Sequence, residues 1–195
     1  ILYTLAFILM TLSNMGNLLF AMSENLGEAL ASNRFTYLGG CYLLLIITFY
    51  VFEMSHIQIP KWVSIAAISL STVIYLGVLS IGHSSIFYKS VTYHVSDGIV
   101  FLEKDYGILH TVFYIVIALE YIISFAALIY AYVKKPNASL KSIRLLFLLQ
   151  TVSVISFFGG RMLYDKIEWL PASYVFAMII FLIISNRTIL YDEEY

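Results

Sequence analysis

From Gly107 to Val133 the chain reads GILHTVFYIVIALEYIISFAALIYAYV, and the only charge in that run is one carboxylate, Glu120. The nearest charges on either side are Asp105 and Lys134. A helix crosses the hydrocarbon core of a bilayer with about 20 residues, so this run is long enough to span one. A carboxyl at mid-depth in lipid costs about 3 kcal/mol on insertion scales and is normally turned towards other helices or a polar cavity. The run therefore demands a membrane and, within it, a bundle that receives Glu120.

Composition agrees with a bilayer as solvent. The chain has 195 residues, 61% hydrophobic and 12% charged, with mean hydropathy +0.89; soluble domains carry about twice that share of charge. A net charge of −1 and a pI near 6.5 leave no basic surface for nucleic acid. The single cysteine, Cys41, has no partner for an internal disulfide and reads as a small buried hydrophobe. No signal peptide is present, and the chain opens at Ile1 inside an apolar run and closes at Tyr195, which reads as a segment of a longer protein.

Runs of sufficient length predict six spans, at 1–22, 35–55, 62–82, 107–133, 142–162 and 169–187. The breaks carry stop signals: polar SENLGEALASNR over 23–34, Pro60 before Trp62, and Pro136 within KKPNASLK. Lys134, Lys135, Lys141 and Arg144 gather at one connection, which the positive-inside rule assigns to the cytoplasm. Alternation then places 23–34, 83–106 and 163–168 outside, and 56–61 and the C-terminus inside.

The long connection, 83–106, has hairpin patterning. Val91, Tyr93 and Val95 alternate with polar residues, as do Ile99 and Phe101, and Asp97-Gly98 stands between the two runs. Alternation flanking Asp-Gly predicts a two-residue turn joining strands 88–95 and 99–104. An isolated hairpin is marginal in water, so an apolar face of Phe87, Tyr93 and Phe101 should pack on the helix ends. His83, His94 and His110 lie on the same outer side without the spacing of a metal motif, so no metal site is expected. Proton sensing suits histidine better.

Polar residues recur within the spans. Asn14 and Asn17, three apart, share a helix face, and a rise of about 1.5 Å per residue puts Asn14 and Glu120 at comparable depths. A protonated Glu120 could donate to either asparagine; an ionised one requires a cation, for which Arg161 is the candidate. Asn and Gln in spans are more often interhelical hydrogen-bond glue than ligand contacts, and Asn14, Asn17 and Gln150 are read that way first. Glu120, Asn14, Asn17, His110 and Arg161 form the candidate signal-sensing set. Motifs of serine hydrolases, zinc proteases and nucleotide-binding loops are missing from the sequence, no catalytic residue is expected, and no cofactor is implied.

The run Arg34-Phe-Thr-Tyr-Leu-Gly-Gly40 and the LLLIITFYVFEMS after it resemble a helix entry in the N-terminal seven-transmembrane region of bacterial sensor histidine kinases, a region that also precedes many diguanylate cyclases. HSSIFYKSVTYHVSDGIVFLEKDYGILHTVFY (83–114) is similar to that family's outer-loop signature. The Asn17 segment with Glu24 and Glu28, Leu170-Pro171-Ala172, and Ile189 to Asp192 resemble the second helix with its following loop, the final turn and the exit. Glu168-Trp169-Leu170 departs from the family, which often has Asp before that proline.

The resemblance implies an all-α polytopic membrane protein, with six of seven bundle helices here, a small extracellular β-hairpin, and the family's first helix upstream of Ile1. It implies a sensory input module of the bacterial inner membrane, relaying a signal through its last helix to a cytoplasmic enzyme beyond Tyr195. The expected partners are the lipid bilayer, that effector in cis, a second copy in a homodimer, and a small-molecule signal of unknown identity. The alternative is a transporter or channel component, which would need a continuous polar path. For orientation, Ser96→Cys should react with an impermeant thiol reagent on intact cells and Ser139→Cys should not; the reverse pattern would invert the topology.

Overall fold

The computed structural model describes residues 1–134, 140–159 and 170–192. Six helices carry it: α1 (Leu2–Ala21), α2 (Leu26–Met54), α3 (Lys61–Leu79), α4 (Ile108–Lys134), α5 (Leu140–Val154) and α6 (Leu170–Asp192). α5 runs on into a π-helical turn, Ile155–Gly159. Between α3 and α4 lies one antiparallel pair, β1 (Tyr88–Ser96) and β2 (Ile99–Tyr106). Among the described residues five helices are long and apolar enough to cross a membrane, and Pro171–Ile184 forms a shorter apolar helix within α6.

The described helices overlap the apolar runs, and one of them starts earlier than expected. α2 begins at Leu26, not near residue 35, so most of the expected loop 23–34 is helix. Local chemistry explains it. Asn25 caps the helix by accepting the Glu28 amide at 3.0 Å, and Glu28 reaches back to accept the Glu24 amide at 2.9 Å and the Asn25 side chain at 2.7 Å. Reciprocal caps of this type satisfy the free N–H groups of a first turn. Polarity therefore marked where the helix leaves the hydrocarbon, not where it starts. At the opposite side, Lys141 and Arg144 of the basic cluster lie on α5, while Lys135 and Pro136 lie outside the described residues.

α2 is the axle of the bundle. α1, α3 and α4 pack on it directly, while α5 bridges α4 to α6 and α6 returns to α1. The α1–α2 contact is made by small residues. A Cβ on Gly16 would lie 2.6 Å from the Thr36 backbone nitrogen, and one on Gly39 would lie 2.6 Å from Ser13 Oγ. Ser13 Oγ donates to the Thr36 carbonyl at 2.8 Å across the same seam. Close approach of this kind replaces the hydrophobic drive that is missing between helices in lipid. Large apolar side chains point the other way, such as Trp62 and Ile65 of α3, 71% and 64% exposed.

The hairpin matches the expected strands and turn. Asp97 (φ 54°) and Gly98 (φ 76°) both adopt left-handed backbone, and Ser96 pairs with Ile99. Positive φ at both turn residues matches the twist of the strands, and Asp-Gly supplies it at least cost. One expected contact is corrected. Tyr93 pairs with Leu102, whereas Phe101 pairs with His94 and stacks on it at 5.4 Å. Residues directly opposite share a face, so Leu102 accompanies Tyr93 and Phe101 lies on the other face. Docking is by Phe87, fully buried, by the Tyr93 hydroxyl donating to the Ser23 carbonyl at 2.7 Å, and by the Gly107 amide donating to Phe87 O at 2.8 Å.

The seam makes a direct prediction. Gly39→Ala should lower thermal stability in detergent by about 1–3 kcal/mol, as overpacking does. Ser13→Gly in the same chain should recover most of that loss, because Ser13 is what the new methyl meets; independent, additive losses would contradict the packing.

Candidate functional site

Glu120 sits on α4 beside Ile117 and Tyr121, which point into the core around Cys41 and Leu44 of α2 and Ile74 of α3. Its carboxyl is within electrostatic reach of Cys41 and Tyr121. Oε2 is shut off from solvent and has no hydrogen-bond partner among the described residues. The residue thus turns into the bundle, at the junction of α2, α3 and α4.

The asparagines are elsewhere. Asn17 belongs to the α1–α2 seam: its Nδ2 donates to the Ser13 carbonyl at 3.0 Å and its Oδ1 accepts from Thr36 Oγ1 at 3.4 Å. Asn14 follows Tyr3, Phe7 and Met10 on a stripe whose Tyr3 ring meets Phe181 of α6 at 5.8 Å. Among the described residues neither asparagine is hydrogen-bonded to Glu120 Oε2. Equal depth along parallel axes says nothing about which faces adjoin. Arg161, the candidate counter-cation, lies outside the described residues.

His110 opens α4 beneath the hairpin, 4% exposed. Tyr106 stacks on its ring at 4.0 Å and 15°, with Tyr114 at 4.8 Å and Phe87 at 5.3 Å. Tyr37 and Tyr88 join hydroxyls at 2.6 Å beside this nest. His94, by contrast, sits on the exposed hairpin 3.2 Å from Glu103, so the three outer histidines do not converge. Arg34, which opens the family-like run, donates from Nη2 to the Ile81 carbonyl at 2.8 Å and ties α2 to the end of α3.

A cavity of about 30 Å³ lies where α2, α4, α5 with its π turn, and α6 meet. Gly39, Gly40, Tyr121, Ser153, Phe157 and Tyr174 are among the residues that line it. A Cβ on Gly40 would meet the Phe113 and Tyr37 rings at 3.6 Å, an ordinary contact. Ser153 is within hydrogen-bonding reach of Tyr121. Just below, Gln150 Nε2 of α5 donates to Ser124 Oγ of α4 at 2.7 Å, both side chains fully buried. The volume suits roughly two waters, and the lining joins hydroxyls to apolar walls. This site was not among the expected residues. The adjacent glycines within an otherwise bulky α2 were its one visible signal. A π-helical turn beside it is a common mark of functional positions.

A bundle of long apolar helices around an interior carboxyl defines a polytopic membrane protein. Over residues 1–192 the sequence matches the family described as the N-terminal 7TM region of histidine kinase. The chain belongs to that family: it is a multi-pass membrane module of the sensory input type, the non-catalytic part of such kinases. No curated protein and no solved structure matches it.

The Gln150–Ser124 bond is the clearest α4–α5 tie and can be measured. A cycle of Gln150→Leu, Ser124→Ala and the double variant, followed by thermal denaturation in detergent, should give a coupling of about 0.6 kcal/mol and no more than about 1.7 kcal/mol. Zero coupling would mean that the two side chains do not bond in the membrane.

Proposed function

We propose that the chain detects a signal at the outer half of the membrane and relays it through α6 to a cytoplasmic signalling enzyme, a histidine kinase or diguanylate cyclase, that follows Tyr195. The observation that carries this is the position of the cavity. Tyr174 and Ala177 of α6 form one wall of it, and α6 is the helix that leaves the bundle last. Whatever fills or empties the cavity changes the seat of the exit helix. A signal transmits only if it binds one packing better than the other, and shifting a 1:99 equilibrium to 99:1 takes about 5.5 kcal/mol of differential binding. The orientation that fits has the hairpin outside a bacterial inner membrane and the C-terminus in the cytoplasm.

Glu120 is the second element of this reading. An interior carboxyl whose buried Oε2 has no hydrogen-bond partner among the described residues is a group whose surroundings can differ between two packings. A transporter or channel component is the alternative, and its polar path would have to join Asn14 and Asn17 to Glu120. No hydrogen bond links them to Glu120 Oε2 among the described residues, which supports the sensor reading.

The test uses the full-length protein in membranes. Glu120→Gln keeps the shape of a protonated carboxyl; it should hold the effector's output at one level whatever the stimulus, at normal expression. Wild-type behaviour of Glu120→Gln, with Glu120→Leu merely lowering folded yield, would reduce Glu120 to structural glue. A full-length sequence that ends without a kinase, cyclase or other effector domain would overturn the relay itself.

A further inference from the structure

Polar side chains line the α2–α3 seam from its hairpin end to the level of Glu120. At that end Arg34 Nη2 donates to the Ile81 carbonyl, and the Tyr75 hydroxyl of α3 donates to the Arg34 carbonyl at 3.4 Å. The Tyr75 ring meets that of Tyr42 at 5.9 Å, and the Tyr42 hydroxyl donates to Thr72 Oγ1 at 3.1 Å. Tyr75 is within electrostatic reach of Cys41, and Cys41 is within reach of Glu120. One polar group thus follows another from beneath the hairpin to the carboxyl of α4.

Some of these groups are left over. Ser71 lies on the face of α3 that carries Ile74 and Val78 into the core; it is 1% exposed. Its Oγ has no hydrogen-bond partner among the described residues, and neither has Arg34 Nε or Glu120 Oε2, both shut off from solvent. Thr72 bonds Tyr42, and Glu120 lies near Cys41, so Ser71 and Glu120 stand at one depth on neighbouring helices. Buried polar atoms of this kind are commonly satisfied by internal water, which takes about two to four such neighbours.

Away from the hairpin the seam is closed. Thr48 turns its hydroxyl to the Leu44 carbonyl of its own helix at 2.9 Å, and Ser124 accepts from Gln150 at 2.7 Å. Beyond them Val51, Leu128 and Ala131 are buried in one apolar cluster. On that side of Glu120, α2, α3 and α4 hold no buried, unbonded polar side-chain atom among the described residues.

We propose that the α2–α3 seam is a one-sided proton path and that Glu120 binds the proton it delivers, which makes hydronium from the hairpin side of the membrane the ligand of this sensor. The proposal rests on the reading of Glu120 as a responding group and names its signal. Hydronium passes its proton along water and the hydroxyls of Tyr75, Thr72 and Ser71 to a carboxylate oxygen of Glu120. An O–H bond forms there, one water is left behind, and the carboxylate loses its negative charge. The groups that face Glu120 do not compete for that proton. Cys41 of α2, Tyr75 of α3 and the adjoining Tyr121 are a thiol and two phenols, which keep their own protons at neutral pH. α5 brings the Ser153 hydroxyl to Tyr121. Arg34, about 10 Å of helix rise from Cys41, is the charge at the entrance. Neutralising a carboxyl inside an apolar bundle removes the need for a polar lining around it, and so favours one packing over another.

Dicyclohexylcarbodiimide reads the bound proton, because it dissolves in the membrane and modifies a carboxyl only when that is protonated. The full-length protein is assayed in sealed vesicles with the pH of the two sides set independently. Labelling of Ser96→Cys by an impermeant maleimide locates the hairpin side, and mass spectrometry of the peptide holding Glu120 gives the reaction rate. Raising the pH on the hairpin side should lower that rate, by about tenfold per unit once the carboxyl ionises. The same change on the other side should leave it unaltered. Ser71→Leu, which fills the seam with a branched apolar side chain, should delay the response to a pH jump. Tyr75→Phe, which removes only a hydroxyl, is the milder variant should Ser71→Leu misfold. Labelling that follows the opposite side, that ignores both sides, or that responds undelayed in both variants overturns the proposal. One-sided labelling together with an effector output indifferent to pH would support the proton site and refute the relay proposed above.

Discussion

The contact on which this bundle depends is the approach of two backbones, where Ser13 and Gly16 of α1 meet Thr36 and Gly39 of α2. No side chain larger than a hydroxyl stands at these points, and the Ser13 hydroxyl bonds the Thr36 carbonyl directly. Water supplies no drive for helices to associate within lipid, so dispersion between closely fitted surfaces must do it. With α1 drawn against α2, the remaining helices take their places by side-chain bulk: Phe113 and Tyr37 on one flank, Tyr3, Tyr50 and Phe181 on another. Small residues set the distance at the axle, and aromatic rings fill the wider spaces beyond it.

Much of this was legible in the residues, for physical reasons that also mark the limits. Apolar length reports hydrocarbon thickness, so the spans could be read from runs alone. The Asp97-Gly98 pair admits few backbone geometries, so the turn was readable, and the strands followed from it. The face of Phe101 was not, because a one-residue difference in register moves every side chain across the sheet. The start of α2 was missed because Glu28, Ala29 and Ala31 suit a helix as well as a loop, and their polarity reports water, not coil.

The candidate site shows the sharper limit. Rise per residue gave Asn14 and Glu120 similar depth, yet depth is one coordinate of three. The azimuth of each residue depends on which helices adjoin, and nothing local encodes that. For the same reason the cavity, built from four helices, left only a pair of glycines in the sequence. His110 was visible as an outer histidine, but its nest of rings is assembled from the hairpin and α4 together.

The hairpin has a mechanical consequence. Tyr93 holds the end of α1, Phe87 seats in the core, and Arg34 fastens α2 to the end of α3, all on one side of the bundle. At the other end of α2 no strap of this kind joins the helices among the described residues. The hydrogen-bonded ties of α2 are thus gathered beneath the β-strands, while its other end, where Val51 is buried and Tyr50 meets the Phe181 ring, is held by side-chain packing.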